Sequence, residues 1–74
     1  MTEYELDAQG LLCPLPVLKA RKRLKSLKSG ETLKLIATDP ASVIDVPHFC
    51  NEQGHVLVSH EAEDGLYIFR IRHK

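Results

Sequence analysis

The sequence predicts an α/β (α+β) two-layer sandwich, in which two helices cover one face of a mixed four-stranded sheet in the order β-α-β-α-β-β. Three observations lead there. Four short segments alternate apolar and polar residues with period two, and two other segments repeat apolar residues at helical spacing. The last two alternating segments are joined by Asp64-Gly65, a strong hairpin signal, so they must pair antiparallel while strand-helix-strand connections precede them. A chain of 74 residues leaves room for a single domain over 1–74. It buries only about 60% of the surface that its unfolded form exposes.

The elements follow in order. Tyr4 and Leu6 alternate with Glu3, Glu5 and Asp7, which predicts a short strand at a sheet edge. After a turn at Gln9-Gly10, Val17, Ala20, Leu24 and Leu27 recur at helical spacing opposite a run of bases, so an amphipathic helix is expected to end before Gly30. Pro14 and Pro16 suit its first turn, whose N–H groups lack intrahelical acceptors, and Cys13 then stands at the helix N-terminus. Residues Thr32 to Thr38 alternate and then turn wholly apolar, as a strand near the sheet centre does. Asp39-Pro40 marks a second helix start, with Asp39 as N-cap, Val43, Ile44, Val46, Phe49 and Cys50 as its apolar side, and Gly54 as its end. Asp45 is expected to face solvent on this helix. Pro47 lies too far inside for a regular helix, which predicts a kink or two short pieces. His55 to Glu63 and Leu66 to Arg72 complete the sheet, whose second face must be wet or covered by a partner.

No apolar run approaches the roughly 20 residues needed to span a bilayer, so no membrane partner is expected. The formal charge is zero, with ten bases and ten acids, but the signs are segregated. Lys19, Arg21, Lys22, Arg23, Lys25 and Lys28 lie between Ala8 and Gly30 without one acid, which makes that segment +6; four bases against ten acids make the remainder −6. A neutral protein polarised in this way suits docking on an acidic protein patch better than coating a nucleic acid. No signal segment is expected ahead of Met1, and both cysteines are expected to be reduced, in the cytoplasm. A monomer without cofactor is expected. The four histidines, His48, His55, His60 and His73, show no metal-ligand spacing, and no metal is expected either.

Two readings of Cys13 stand side by side on position alone. A helix N-terminus lowers a cysteine pKa from its usual value of about 8.5 and favours the reactive thiolate. A cysteine beside a proline-marked helix start is also a good small hydrophobe for a core. Cys50, next to Phe49 on the apolar side of the second helix, reads as structural.

The residues Leu6-Asp7, Gly10-Leu11 and Cys13-Pro14-Leu15-Pro16 resemble the signature of the TusA (SirA-like) family, in which a Cys-Pro-x-Pro motif opens the first helix. Gly30-Glu31, Thr38-Asp39-Pro40, Asp45-Val46-Pro47, Phe49 and the closing hairpin with Arg70 and Arg72 fall at the family's spacing, so the resemblance runs from about Glu5 to Arg72. It implies a fold similar to the C-terminal domain of bacterial translation initiation factor three. It also implies a sulfur carrier that is not an independent catalyst. Such a carrier takes sulfane sulfur as a persulfide on Cys13 from a cysteine desulfurase or rhodanese-like donor, and passes it to an acceptor protein. The outlets are tRNA thiolation, molybdenum-cofactor supply or sulfur oxidation. Pro14 and Pro16 would stiffen the approach to the thiol. Arg21 stands where the family has a basic residue that contacts the donor, with Lys19, Lys22 and Lys25 as companions in docking.

Two other classes compete. An RNA- or ribosome-binding module would use the basic helix and predicts salt-dependent binding that does not need Cys13. The near-neutral pI of about 6.9 and the core positions expected for Tyr67 and Phe69 count against it. A thiol-disulfide redox protein would need a second cysteine near Cys13, and there is no Cys-x-x-Cys pair.

Overall fold

In the computed structural model, which describes residues 3–74, the chain runs β1 (Glu3–Ala8), α1 (Leu15–Lys25), β2 (Thr32–Ala37), α2 (Ser42–Gln53), β3 (Val56–Glu63) and β4 (Leu66–Arg72). Residues 1 and 2 of the domain expected over 1–74 lie outside the described residues. The strands form one sheet in the order β1-β2-β4-β3. β1 is an edge strand and pairs parallel with β2, Leu6 opposite Leu35 and Ala8 opposite Ala37. β4 runs antiparallel to both β2 and β3. It has therefore slipped between two strands that share a direction, and the sheet is mixed.

Both helices pack on one face, α1 over β1 and β2, and α2 over β3 and β4. The alternation in β2 and β4 turns Leu33, Leu35, Phe69 and Ile71 toward them, and all four are fully buried against Ala20 and Leu24 of α1 and Val46 and Phe49 of α2. Each such large side chain contributes about 1.5–3 kcal/mol by leaving water. Phe69→Ala, which opens a cavity at the centre, would cost about 3–5 kcal/mol. The opposite face carries charge. Lys34 Nζ lies 3.7 Å from Glu5, and Arg70 reaches Glu61 at 2.7 Å and Glu3 at 3.7 Å. Pairs of this exposure are each worth about 1 kcal/mol or less, but they make the face suited to water.

The turn chemistry acts as the sequence indicates. Asp64 and Gly65 both take positive φ, 51° and 79°, the geometry a two-residue hairpin turn needs. Gly54 ends α2 in the left-handed region, and its N–H reaches the Cys50 carbonyl.

Three local expectations need correction. α2 starts at Ser42, with Ala41 as N-cap, and not at Asp39-Pro40. Tight turns come first: Ser42 N–H bonds the Asp39 carbonyl at 3.0 Å and Val43 N–H the Pro40 carbonyl at 3.1 Å, and the Asp39 side chain has other partners. Of the two outcomes expected at Pro47, a kink or two short pieces, the second is overturned, since α2 is one helix of 12 residues. Proline removes a single donor there, and Val46, Phe49 and Cys50 hold the segments around it on the sheet. Pro14 is the N-cap of α1, and only Pro16 lies within the first turn.

Candidate functional site

Parallel strands end side by side, so the loops that follow them leave the sheet together. Ala8 of β1 is paired with Ala37 of β2, and the β1–α1 loop is pinned to the β2–α2 loop by two hydrogen bonds. Gly10 N–H donates to Thr38 Oγ1 at 2.9 Å, and Cys13 N–H donates to Asp39 Oδ2 at 2.6 Å. The junction sits at the carboxyl end of the parallel pair, where open α/β sheets commonly build sites.

Cys13 is exposed, one residue before the N-cap of α1, and its Sγ donates a hydrogen bond to Asp45 Oδ2 at 2.5 Å. Between the helices runs an open groove of about 320 Å³, lined by Cys13, Pro14, Val17, Asp45, His48, Phe49 and Glu52. Its floor is apolar and its α2 wall is acidic, with His48 Nε2 lying 3.5 Å from Glu52. Leu12 and Ile44, each adjacent in sequence to a site residue, are 71% and 75% exposed, so apolar surface flanks the thiol.

This setting reverses the electrostatic expectation for Cys13. Its pKa is raised, first by the hydrogen bond to Asp45, then by desolvation and by the charges of Asp45 and Asp39. The helix N-terminus does not prevail, because Pro14 and Pro16 supply no N–H groups and Leu15 N–H is spent on the Leu12 carbonyl at 2.9 Å. Asp45 is accordingly no plain solvent-facing residue, and Asp39 serves as a clamp between loops and not as the side-chain cap of α2. Position within the motif could not show this. The signal was a pair of acids after the second parallel strand, Asp39 in the loop and Asp45 in the first turn of α2, which the fold carries back to the thiol.

The other thiol behaves as expected. Cys50 is buried on the inner side of α2, and burial pushes its pKa up to about 11.

The four bases expected to act together are divided. Arg21 and Lys25 line a second hollow of about 210 Å³ on the α2 side of α1, which shares Phe49 with the Cys13 groove and also carries His55, His73 and Lys74. Lys19 and Lys22 lie on the other flank, in a hollow with Leu6, Arg23 and Ser26. Arg23 stands over the Tyr4 ring, 5.8 Å from its centre. One basic run thus dresses two sides of the helix, and only Arg21 and Lys25 continue the groove that begins at the thiol.

Among the described residues no three His, Cys, Asp or Glu side chains are grouped to hold a metal ion. No helix among them is long and apolar enough to cross a membrane.

Comparison with known proteins adds four findings. The sulfur carrier protein TusA of Pseudomonas syringae pv. syringae is 47% identical over 72 residues, covering 97% of this chain and 86% of that protein. The protein of the same name from Allochromatium vinosum is 46% identical over 70 residues, covering 95% and 92%. The crystal structure of a SirA-like protein from Desulfitobacterium hafniense matches the fold with a TM-score of 0.83 at 23% identity, over 96% of each chain. Because the family model described as sulfurtransferase TusA matches residues 4–73, nearly the whole sequence, the chain belongs to the TusA family.

Proposed function

We propose that this chain is a single-domain sulfur carrier of the cytoplasm, which holds sulfane sulfur as a persulfide on Cys13. The donor is a cysteine desulfurase or rhodanese-like protein, and the recipient is an acceptor protein in tRNA thiolation, molybdenum-cofactor supply or sulfur oxidation. The observation that carries this reading is the contrast between the two thiols. Cys13 is exposed at the mouth of an open groove, and Cys50 is buried. A persulfide survives where no second thiol can attack it, since such attack would expel the outer sulfur and close a disulfide. Buried Cys50 is poorly placed for that attack, which also disfavours a thiol-disulfide redox role.

Transfer needs no outside oxidant. The Cys13 sulfur attacks the outer sulfur of the donor persulfide, one S–S bond forms as the donor's breaks, and the donor leaves as a thiol after gaining a proton. An open groove with apolar flanks at Leu12 and Ile44 suits a reacting sulfur presented by another protein.

Intact-protein mass spectrometry after incubation with a cysteine desulfurase and cysteine tests the proposal. Wild type and Cys50→Ser should gain the mass of one sulfur atom, and Cys13→Ser none. Equal loading of the two variants would sink the assignment.

A further inference from the structure

We propose that Asp45 is the acid–base residue of the transfer: its carboxylate takes the Cys13 proton as the sulfur attacks, and gives it to the thiolate that the donor leaves behind. This rests on the carrier reading above. The balance is complete within the two proteins. Cys13 begins as a thiol and ends as a persulfide, the donor begins as a persulfide and ends as a thiol, and the proton moves from Cys13 through Asp45 to the donor sulfur.

There are two general ways to activate a nucleophilic thiol, a depressed pKa or an adjacent base. The first is absent. Asp39 and Asp45 contact Cys13 directly, His48 and Glu52 of α2 line the same groove, and from the α1 side the groove offers Pro14 at the N-cap and Val17. No Lys or Arg lines this groove, and acidic neighbours hold the proton on sulfur. The second way is present. Asp45 Oδ2 is within hydrogen-bond reach of Sγ across a sequence distance of 32 residues, and Asp39 fixes the backbone of the same cysteine.

Such an arrangement gives a thiol that is quiet until a persulfide arrives. A free thiolate would react with any oxidant or electrophile it met. A protonated thiol beside a base releases its proton only as the new S–S bond forms. A carboxylate is a weak base toward a thiol, so its share is at or below the lower end of the usual range for general-base help, about 10- to 100-fold.

Asp45→Asn keeps the size of the side chain and removes the base. At neutral pH, alkylation of Cys13 by a small neutral reagent should become faster, because the charge that opposed ionisation is gone. Loading from cysteine persulfide should become about 10- to 100-fold slower. Between about pH 6 and about pH 9 the wild-type loading rate should be nearly flat, and that of Asp45→Asn should climb with thiol ionisation toward the wild-type value. His48 also lines the groove, so the profiles are compared in a His48→Gln background. Asp45→Glu, which restores a carboxylate, should recover part of the rate if Asp45→Asn folds poorly. Loading by Asp45→Asn that is as fast as wild type or faster, in step with alkylation, overturns the inference and leaves Asp45 as a brake on ionisation. Loading of Cys13→Ser instead removes the carrier reading and this inference with it.

Discussion

The backbone N–H of Cys13 lies 2.6 Å from Asp39 Oδ2, and Oδ1 of the same carboxylate accepts the N–H of Ala41 at 3.1 Å. One side chain therefore holds the thiol's loop and the turn that leads into α2. Asp39→Ala should lower stability by about 1 kcal/mol, below the usual range for charge-assisted bonds because the Cys13 bond is exposed to water. For a domain of this size that is a fall in Tm of about 4–8 °C. Asp39→Asn, which keeps an acceptor, should lose less. Thermal unfolding checks both, and hydrogen exchange should show faster exchange at Cys13 and Ala41 in Asp39→Ala. Unchanged exchange at Cys13 would show that the clamp is not what orders the loop.

Cys50 supplies a second prediction, with a pH dependence. Its neutral thiol is favoured by the fold, since burial raises the pKa to about 11 from an ordinary value near 9.0. The raised folded value means that this contribution is fully present below about pH 9, and is lost as pH rises from there toward about pH 11. Over that window wild type should lose stability relative to Cys50→Ala in urea unfolding. At neutral pH, Cys50→Ser should cost more than Cys50→Ala, about 2 against about 1 kcal/mol, because it brings a hydroxyl into an apolar site. In the native protein a maleimide should label Cys13 and spare Cys50 until denaturant is added. Rapid native labelling of Cys50 would contradict its place in the core.

The sequence was legible wherever a structure is decided by neighbours in the chain. The hairpin at Asp64-Gly65, the end of α2 at Gly54, the edge position of β1 and the two-layer order all follow from turn chemistry and period. The resemblance anticipated the family as well. What remained hidden depends on partners distant in sequence. The β4 strand divides two strands of like direction, which no local pattern states. Asp39 looked like a cap because it precedes a proline and an apolar run, but the Cys13 loop competes for its carboxylate. The pKa direction of Cys13 failed for the same reason, since the helix-terminus argument is local and the overriding carboxylate of Asp45 is not. The helical periodicity exposed the bases correctly, but only the placement of α2 beside α1 decides which of them adjoin the groove.

The division of those bases leads to the last prediction. Arg21 and Lys25 lie along the hollow that continues from the Cys13 groove through Phe49, and Lys19 and Lys22 lie on the flank nearer β1. A donor whose reactive sulfur reaches Cys13 along the groove should feel the first pair closely and the second weakly. Opposite charges steer association when they lie within about a Debye length, roughly 8 Å at physiological salt. Arg21→Glu with Lys25→Glu should therefore slow loading by a cysteine desulfurase at low salt, severalfold more than Lys19→Glu with Lys22→Glu. Raising the ionic strength should narrow both gaps, because steering acts on the encounter rate and is screened. Reactivity of Cys13 toward a small neutral alkylating agent should stay the same in both double variants, since neither pair lines the thiol's own groove. Equal slowing by the two double variants would mean that the whole basic segment acts through its net charge, and the groove would then have no privileged role in docking.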